Sequence, residues 1–134
     1  AIHRAGLTTV DLLGTRFTLE QDFYRGRLMK QHGLTVIIPD PADRETVHRV
    51  IYEELCQGDL RAESRAQYRQ IMQRLINAGT EGIILGCTEM ALLVRPEDAP
   101  VPLFDATQLH AHSAARWALG DEKSVPSEVI RSDF

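Results

Sequence analysis

An apolar run without alternation, Gly82-Ile83-Ile84-Leu85, constrains the fold of this chain more than any other feature. A strand that is apolar at every position is covered on both faces, which is typical of the centre of a parallel sheet. The run leads into Gly86-Cys87-Thr88-Glu89, and a second apolar stretch follows at residues 90–94. The sequence therefore predicts a buried strand that ends in a thiol, with a helix beginning at the thiol.

Strands and helices alternate along the rest of the chain. Apolar segments rich in β-branched residues predict further strands at residues 8–13, 34–38 and 101–104. Apolar residues at helical spacing predict helices at roughly 18–32, 47–55, 59–78 and 105–119. Such repetition gives a parallel sheet with helices on both faces. We expect an α/β fold, a flavodoxin-like parallel sheet of about four strands with the first strand central.

Local signals predict where these elements begin and end. Thr18 and Asp59 stand where helix caps are expected, and Thr18 is followed by Gln21 at the spacing of a capping box. Gly33 fits a left-handed helix stop. Pro102 places the last strand at an edge of the sheet.

Composition restricts the class of partner. The chain has 134 residues, the usual size of one domain, and a net charge of −4 from 15 basic and 19 acidic residues. This balance argues against a nucleic-acid partner. No apolar stretch approaches a membrane span, and the two cysteines lack the spacing of a metal site. We expect a cytoplasmic protein with reduced thiols, no metal, no cofactor and a polar tail at residues 120–134.

The Gly-Cys-Thr-Glu motif resembles the second catalytic-cysteine motif of the aspartate/glutamate racemase family. The segment at residues 12–24, LLGTRFTLEQDFY, is similar to the loop that opens the second domain of those enzymes. Phe104-Asp105-Ala106-Thr107 resembles the strand end that follows the cysteine motif. These matches keep their order across roughly residues 5–119, and they are nearest to the broad-specificity amino-acid racemases of bacteria.

The resemblance implies two similar domains, each with one cysteine, and this chain lacks the Cys-Asn-Thr motif of the first domain. We therefore expect residues 1–119 to be the second, carboxy-terminal domain of a racemase. The isolated chain is then expected to be inactive. The helix at residues 105–119 is expected to pack on the missing amino-terminal domain or on another copy of the chain, in a homo-oligomer.

The resemblance also assigns roles at the site. Cys87 is the catalytic acid/base thiol, acting on a small amino-acid substrate without pyridoxal. Thr88 is expected to bind the substrate carboxylate through its amide and hydroxyl. Thr15 is expected to contact the substrate as well, and its alternative is a simple turn residue after Gly14. Thr18 and Glu89 are supporting residues, and each also has a plain structural reading, as a helix cap and as a favourable acid in a first helical turn. A helix amino end at Cys87 would favour the thiolate, so we expect Cys87 to be alkylated faster than Cys56.

Asp105 and Cys56 complete the set of supporting residues. Asp105 is read as a helix cap first and an active-site support second. Cys56 stands where aspartate racemases often carry a lysine for the side-chain carboxylate, so its neutral thiol favours a neutral or varied side chain. The alternative is a cysteine that packs on a helix.

Two functional alternatives stay open. One is a carboxylate-binding or assembly domain without turnover. The other is a decarboxylase or isomerase of the same superfamily, since arylmalonate decarboxylases use one cysteine. His3, His32 and His48 are read as surface residues, and His110 and His112 are two apart, which places them on different helix faces.

Overall fold

Four parallel strands form the sheet of the computed structural model, which describes residues 1–120. The strands are β1 (Thr9–Leu13), β2 (Thr35–Ile37), β3 (Ile83–Leu85) and β4 (Leu103–Asp105), in the order β2-β1-β3-β4. The predicted flavodoxin-like arrangement is confirmed, because β1 lies inside the sheet and every pair is parallel. β4, which follows Pro102, is an edge strand as expected.

Helices connect the strands and cover both faces of the sheet. They are α1 (Arg16–Glu20), α2 (Asp22–His32), α3 (Pro41–Glu53), α4 (Ala62–Asn77), α5 (Met90–Leu93) and α6 (Ala106–Ala118). Short 3-10 helices occur at His3–Ala5, Leu55–Gln57 and Pro96–Asp98. Within residues 1–120 no helix has the length and apolarity that a bilayer crossing needs.

Two apolar clusters pack on opposite faces of the sheet. Because successive strand residues point to opposite faces, neighbours in one strand fall into different clusters. The larger cluster joins β1 and β3 to α3 and α4 through Leu13, Ile83, Leu85, Val47, Val50, Tyr68, Ile71 and Met72. The smaller cluster joins the same strands to α1 and α2 through Val10, Leu12, Ile84, Leu19, Tyr24 and Leu28. β3 is thus covered on both faces, as its apolar run predicts.

Two predicted helix starts are wrong. The helix expected at 18–32 is two helices, because the extended backbone of Gln21 (φ −84°, ψ 142°) interrupts it. Thr15 caps α1, and Thr18 lies inside it. Asp59 does not cap α4, which follows Arg61 without a side-chain cap. Asp59 instead forms an ion pair with Arg61 at 2.6 Å.

Other helix ends agree with the sequence. Gly33 ends α2 with a left-handed φ of 60°. The Asp105 carboxylate caps α6 by accepting from the amides of Thr107 at 2.9 Å and Gln108 at 3.2 Å. No residue of α6 is buried within the described part of the chain. Of the predicted polar tail, residues 121–134 lie outside the described residues.

Candidate active site at the carboxyl edge

Three of the predicted site residues meet at the edge of the sheet where its parallel strands end, here called the carboxyl edge. Leu13, Leu85 and Asp105 are aligned across β1, β3 and β4. Thr15 and Cys87 each follow their strand by two residues. Parallel strands thus bring Thr15, Cys87 and Asp105 to one edge, the place where open α/β sheets bind ligands.

Two glycines allow the loops after β1 and β3 to touch. The Gly86 amide donates to the Leu13 carbonyl at 2.7 Å. A Cβ on Gly86 would lie 3.0 Å from that carbonyl oxygen and 3.1 Å from Leu12 Cδ1. A Cβ on Gly14 would lie 3.2 Å from Cβ of Thr18. The absence of a side chain at Gly86 therefore lets the cysteine loop lie directly against the end of β1, and its absence at Gly14 leaves room for Thr18.

Glu89 accepts hydrogen bonds from the side chains of Cys87 and Thr88. The Cys87 thiol donates to Glu89 Oε2 at 3.0 Å. The Thr88 hydroxyl donates to the same oxygen at 2.5 Å. These bonds lower the pKa of the Glu89 carboxyl, so Glu89 is the anion of the trio. Thr88 is exposed, and Cys87 is half-buried against the larger apolar cluster.

The expectation of a thiolate at Cys87 is not supported by this geometry. Burial, followed by the hydrogen bond to Glu89, raises the pKa of the Cys87 thiol to about 11. The predicted helix amino end is also absent, because residues 87–89 form a turn and the four-residue α5 begins only at Met90. Cys87 is therefore a neutral thiol that donates a hydrogen bond to Glu89.

Thr15 and Thr18 form a single polar unit at the start of α1. The Thr15 hydroxyl accepts from the Thr18 amide at 3.4 Å, and the two hydroxyl oxygens are 3.2 Å apart. Thr15 is therefore the cap, a role that the sequence assigned to Thr18. Both residues are half-buried, which leaves part of each accessible at the carboxyl edge.

Cys56 is exposed, so the alternative of a packing cysteine is wrong. It lies in the 3-10 helix Leu55–Gln57, here called the Cys56 turn, which contacts α5. After burial and Glu89, the Cys56 thiol makes a smaller contribution to raising the pKa of Cys87. The two cysteines thus face one region, although 31 positions separate them in the sequence.

Sequence reasoning missed three residues beside the site. His48, read as a surface residue, is half-buried and its Nδ1 accepts from the Arg16 amide at 3.3 Å. Tyr68 is fully buried and donates to the Val47 carbonyl at 3.1 Å. Glu54, 2% exposed, lies directly before the Cys56 turn. Apolar residues at helical spacing in α4 placed Tyr68 in the core. No sequence pattern indicated a position beside the site for His48 or Glu54.

Thr88 at the site is exposed, and two clefts found among the described residues lie away from it. Clefts of about 460 and 280 Å³ both lie elsewhere, and Leu109 and Ser113 of α6 line each of them. Cys87 lines neither cleft. Among residues 1–120, no group of three or more His, Cys, Asp or Glu side chains is arranged to bind a metal ion.

A sequence model of the Asp/Glu/Hydantoin racemase family matches residues 1–114. The chain belongs to this family. The resemblance seen in the Gly-Cys-Thr-Glu motif is thereby confirmed, and the racemase-like α/β fold agrees with it.

Two solved structures and one curated protein are similar to this chain. A candidate Asp/Glu racemase from Yersinia pestis is 53% identical, with a TM-score of 0.85 over 88% of this chain. An aspartate racemase homologue from Pyrococcus horikoshii OT3 is 35% identical, with a TM-score of 0.79 over 88% of this chain. An uncharacterised protein encoded in the pnlA 3' region of Pectobacterium carotovorum subsp. carotovorum is 34% identical over 119 residues, 87% of this chain and 77% of that protein. The chain spans 51% of each of the two solved relatives, about half their length.

Proposed function

We propose that this chain is the half of a cofactor-independent amino-acid racemase that carries the second acid/base cysteine, Cys87. The observation that carries the proposal is the hydrogen-bonded Cys87–Glu89 pair, 3.0 Å apart, at the carboxyl edge of a family fold. A thiol whose pKa is raised to about 11 keeps its proton at neutral pH. Such a group is suited to deliver a proton to a carbanion.

Racemisation at an α-carbon needs a base on one face and an acid on the other. A thiolate from the other half removes the α-proton, and the electrons of the C–H bond move into the substrate carboxylate. Cys87 then gives its proton to the opposite face of the α-carbon. The electrons of its S–H bond stay on the sulfur, which becomes a thiolate. In the reverse direction Cys87 is the base and the opposing thiol is the acid.

Thr15 and Thr88 are the proposed contacts for the substrate carboxylate, whose negative charge grows in the transition state. Thr15 carries a hydroxyl at the carboxyl edge, and the exposed Thr88 offers its backbone amide there, because its hydroxyl proton is donated to Glu89. Hydrogen-bond donors held in place around a developing anion are a strong source of catalysis. Thr18 supports this role because it holds the Thr15 hydroxyl, while Glu89 keeps Cys87 protonated. Asp105 holds the start of α6 at the same edge.

The second cysteine is proposed to come from outside this chain. The solved relatives are about twice as long, and Thr88 beside Cys87 is exposed in this chain. Cys56 is exposed in the same region, and we assign it to the wall that meets the substrate side chain. Its thiol is uncharged when protonated, which favours neutral or varied side chains over aspartate.

Solvent deuterium exchange tests the proposal. The isolated chain and a two-domain protein that contains it are incubated in D₂O with L- and D-amino acids, and the α-proton is followed by NMR. We expect racemisation from the two-domain protein alone and its near-complete loss in Cys87→Ser. The Cys56→Ser variant should still racemise. Robust racemisation by the isolated chain, or its loss in Cys56→Ser as well as in Cys87→Ser, would contradict the two-half arrangement.

A further inference from the structure

Glu54 is a buried carboxylate with three partners. It accepts from the Ser64 hydroxyl through Oε2. Its Oε1 lies 3.3 Å from Arg49 Nη1 and 3.6 Å from Arg61 Nη1. With the side chain only 3% exposed, the carboxylate is surrounded by these partners rather than by water. Glu54 therefore holds both guanidinium groups in fixed positions.

Glu54 and its partners lie next to the Cys56 turn, which is the proposed contact for the substrate side chain and is here called the Cys56 wall. Glu54 and Arg61 bracket the loop that contains Cys56, and their ion pair closes that loop. The Glu54 carbonyl also accepts from the amides of Gln57 at 2.9 Å and Asp59 at 3.0 Å. The Cys56 turn that they fix contacts α5, which follows the Cys87 motif. The shape of the wall and the charge behind it thus depend on one residue.

The charges of the cluster also reach the buried hydroxyl beneath the site. Burial, followed by Cys87 and then Glu54, raises the pKa of Tyr68, and Arg49 opposes them. Cys87, Glu54 and Arg49 therefore act on one common neighbour. Charge placed on Glu54 or on its arginines is felt in the neighbourhood of the catalytic thiol.

Both arginines are occupied by carboxylates. Arg49 also lies 3.9 Å from Glu53, and Arg61 lies 2.6 Å from Asp59. Two guanidinium groups thus face three carboxylates, those of Glu53, Glu54 and Asp59. A substrate with a second carboxylate would find no cation here that is not already paired.

We propose that Glu54 determines substrate preference by neutralising Arg49 and Arg61, so that the Cys56 wall selects uncharged amino-acid side chains. That the substrate is an amino acid rests on the proposed function. The charge argument concerns this chain alone and is testable without turnover. Glu54 acts through the arginines and the Cys56 turn, so it is a positioning residue.

The test compares an anionic and a neutral alkylating agent at Cys56. Iodoacetate and iodoacetamide react with the same thiol, and the ratio of their rates reports the local potential. In Glu54→Gln the two arginines lose a buried counter-charge. We expect the iodoacetate-to-iodoacetamide rate ratio to rise about threefold at low ionic strength, and the rise to disappear in high salt. Glu53→Gln removes an equal charge from an exposed position and should change the ratio less.

A second set of variants covers a failure of Glu54→Gln to fold, which circular dichroism would show. Arg49→Gln and Arg61→Gln leave Glu54 less compensated, so each should lower the ratio about threefold. Arg27→Gln, an equal loss of charge on α2, is the matched control and should leave the ratio unchanged. A ratio that does not distinguish either arginine variant from Arg27→Gln would overturn the inference.

Catalysis gives the second readout. In a two-domain protein, Glu54→Gln should raise kcat/KM for acidic amino acids relative to neutral ones. If Glu54→Gln changes the alkylation ratio but leaves the preference between acidic and neutral amino acids unchanged, Glu54 does not determine substrate preference. The alkylation ratio needs no turnover, so it still tests the charge argument if the protein racemises nothing.

Discussion

At the scale of the residue, burial first and Glu89 second keep Cys87 protonated. The carboxylate shares one oxygen between the Cys87 thiol and the Thr88 hydroxyl, and both groups donate to it. A thiolate placed 3.0 Å from this anion would lose the hydrogen bond and meet a like charge. Half-burial adds to the cost of ionising the thiol. Glu89 therefore favours the acid form of the cysteine.

Replacing Glu89 should make Cys87 more acidic. In Glu89→Gln we expect the pKa of Cys87 to fall from about 11 by about one unit. The thiolate fraction at pH 8 then rises about tenfold, while the lower basicity reduces its nucleophilicity about threefold. The net expectation is a roughly threefold faster alkylation of Cys87, measured against pH by peptide mapping.

The same experiment compares the two cysteines. Because Cys56 is exposed and Cys87 is half-buried with a raised pKa, we now expect Cys56 to be alkylated faster in the unsubstituted chain. This reverses the order that the sequence suggested. Glu97→Gln removes an exposed carboxylate away from the thiol and is the control. An identical pH profile in Glu89→Gln and the control would show that Glu89 does not act on Cys87.

Asp11 should make stability depend on pH. Its side chain is fully buried in β1, and neither oxygen has a hydrogen-bond partner within the described residues. Burial raises the pKa of Asp11 to about 8. The nearby Leu12 amide lowers this pKa by a smaller amount, although it does not have the geometry of a hydrogen bond. Between its ordinary value of 3.8 and about 8, the folded chain holds a proton that the unfolded chain has released. The free energy of unfolding should therefore fall as pH rises through this window and level off above it.

Urea denaturation from pH 5 to 9 measures this effect. Each pKa unit of difference is worth about 1.4 kcal/mol, so the decline should amount to several kcal/mol. Asp11→Val should flatten the curve and be the more stable chain at pH 8. Asp22→Asn, at an exposed carboxylate on α2, should keep the decline. A wild-type curve that is flat between pH 5 and 8 would contradict the neutral state of Asp11.

At the scale of the element, the close approach of two loops forms the site. The loop after β3 approaches the end of β1 this closely because Gly86 carries no side chain, and Gly14 leaves room for Thr18 within the loop after β1. The position of Cys87 relative to Thr15 is therefore set by backbone contact. A rigid contact of this kind is the support that a catalytic pair requires.

Gly86→Ala should damage the site and destabilise the fold. Its Cβ would stand 3.0 Å from a backbone oxygen that has no freedom to move aside. We expect a loss of about 1–3 kcal/mol in unfolding free energy, as for other overpacked positions, together with an altered alkylation rate at Cys87. Gly58→Ala, where a Cβ meets nothing within 4 Å but φ is 76°, is the control for backbone strain alone. Equal effects on Cys87 in both variants would contradict the loop contact.

The sequence predicted elements that are governed by long apolar patterns. The apolar run of β3 and the apolar stripe of α4 correctly predicted a parallel sheet covered by helices. A strand that is apolar on both faces fits few positions other than the inside of such a sheet. Signals of one or two residues were less reliable. Thr18 and Thr15 both suit a cap, and the choice between them depends on the tight packing of Thr18 against Gly14. The four-residue α5 and the break at Gln21 also depend on tertiary contacts.

The candidate site shows the same division. The motif placed Cys87 at the carboxyl edge, since a strand end fixes that position. Its protonation state needed the Glu89 rotamer, and the role of Glu54 needed partners at positions 49, 61 and 64. Charge networks across separate elements leave no periodic signal in one sequence.

At the scale of the whole molecule, α6 has an apolar surface without a partner in the described chain. Leu109, Trp117 and Leu119 are 39%, 61% and 85% exposed. The helix begins at the Asp105 cap beside the site and packs mainly against β4. A surface of this kind, adjoining an open site in a chain half as long as its solved relatives, fits a contact with another folded unit.

We expect the isolated chain to self-associate through α6. Covering a tryptophan and two leucines would stabilise a dimer by a few kcal/mol before the cost of association is subtracted. Sedimentation velocity across a range of concentrations should show a monomer–dimer equilibrium, and Trp117→Ala with Leu119→Ala should shift it toward monomer. Leu92→Ala, at an exposed leucine of α5, should leave the equilibrium unchanged. Acrylamide quenching of Trp117 should weaken as the dimer forms. A chain that stays monomeric at high concentration with a fully quenchable Trp117 would show that another copy does not cover this face, and a different folded unit would then be required to bury it.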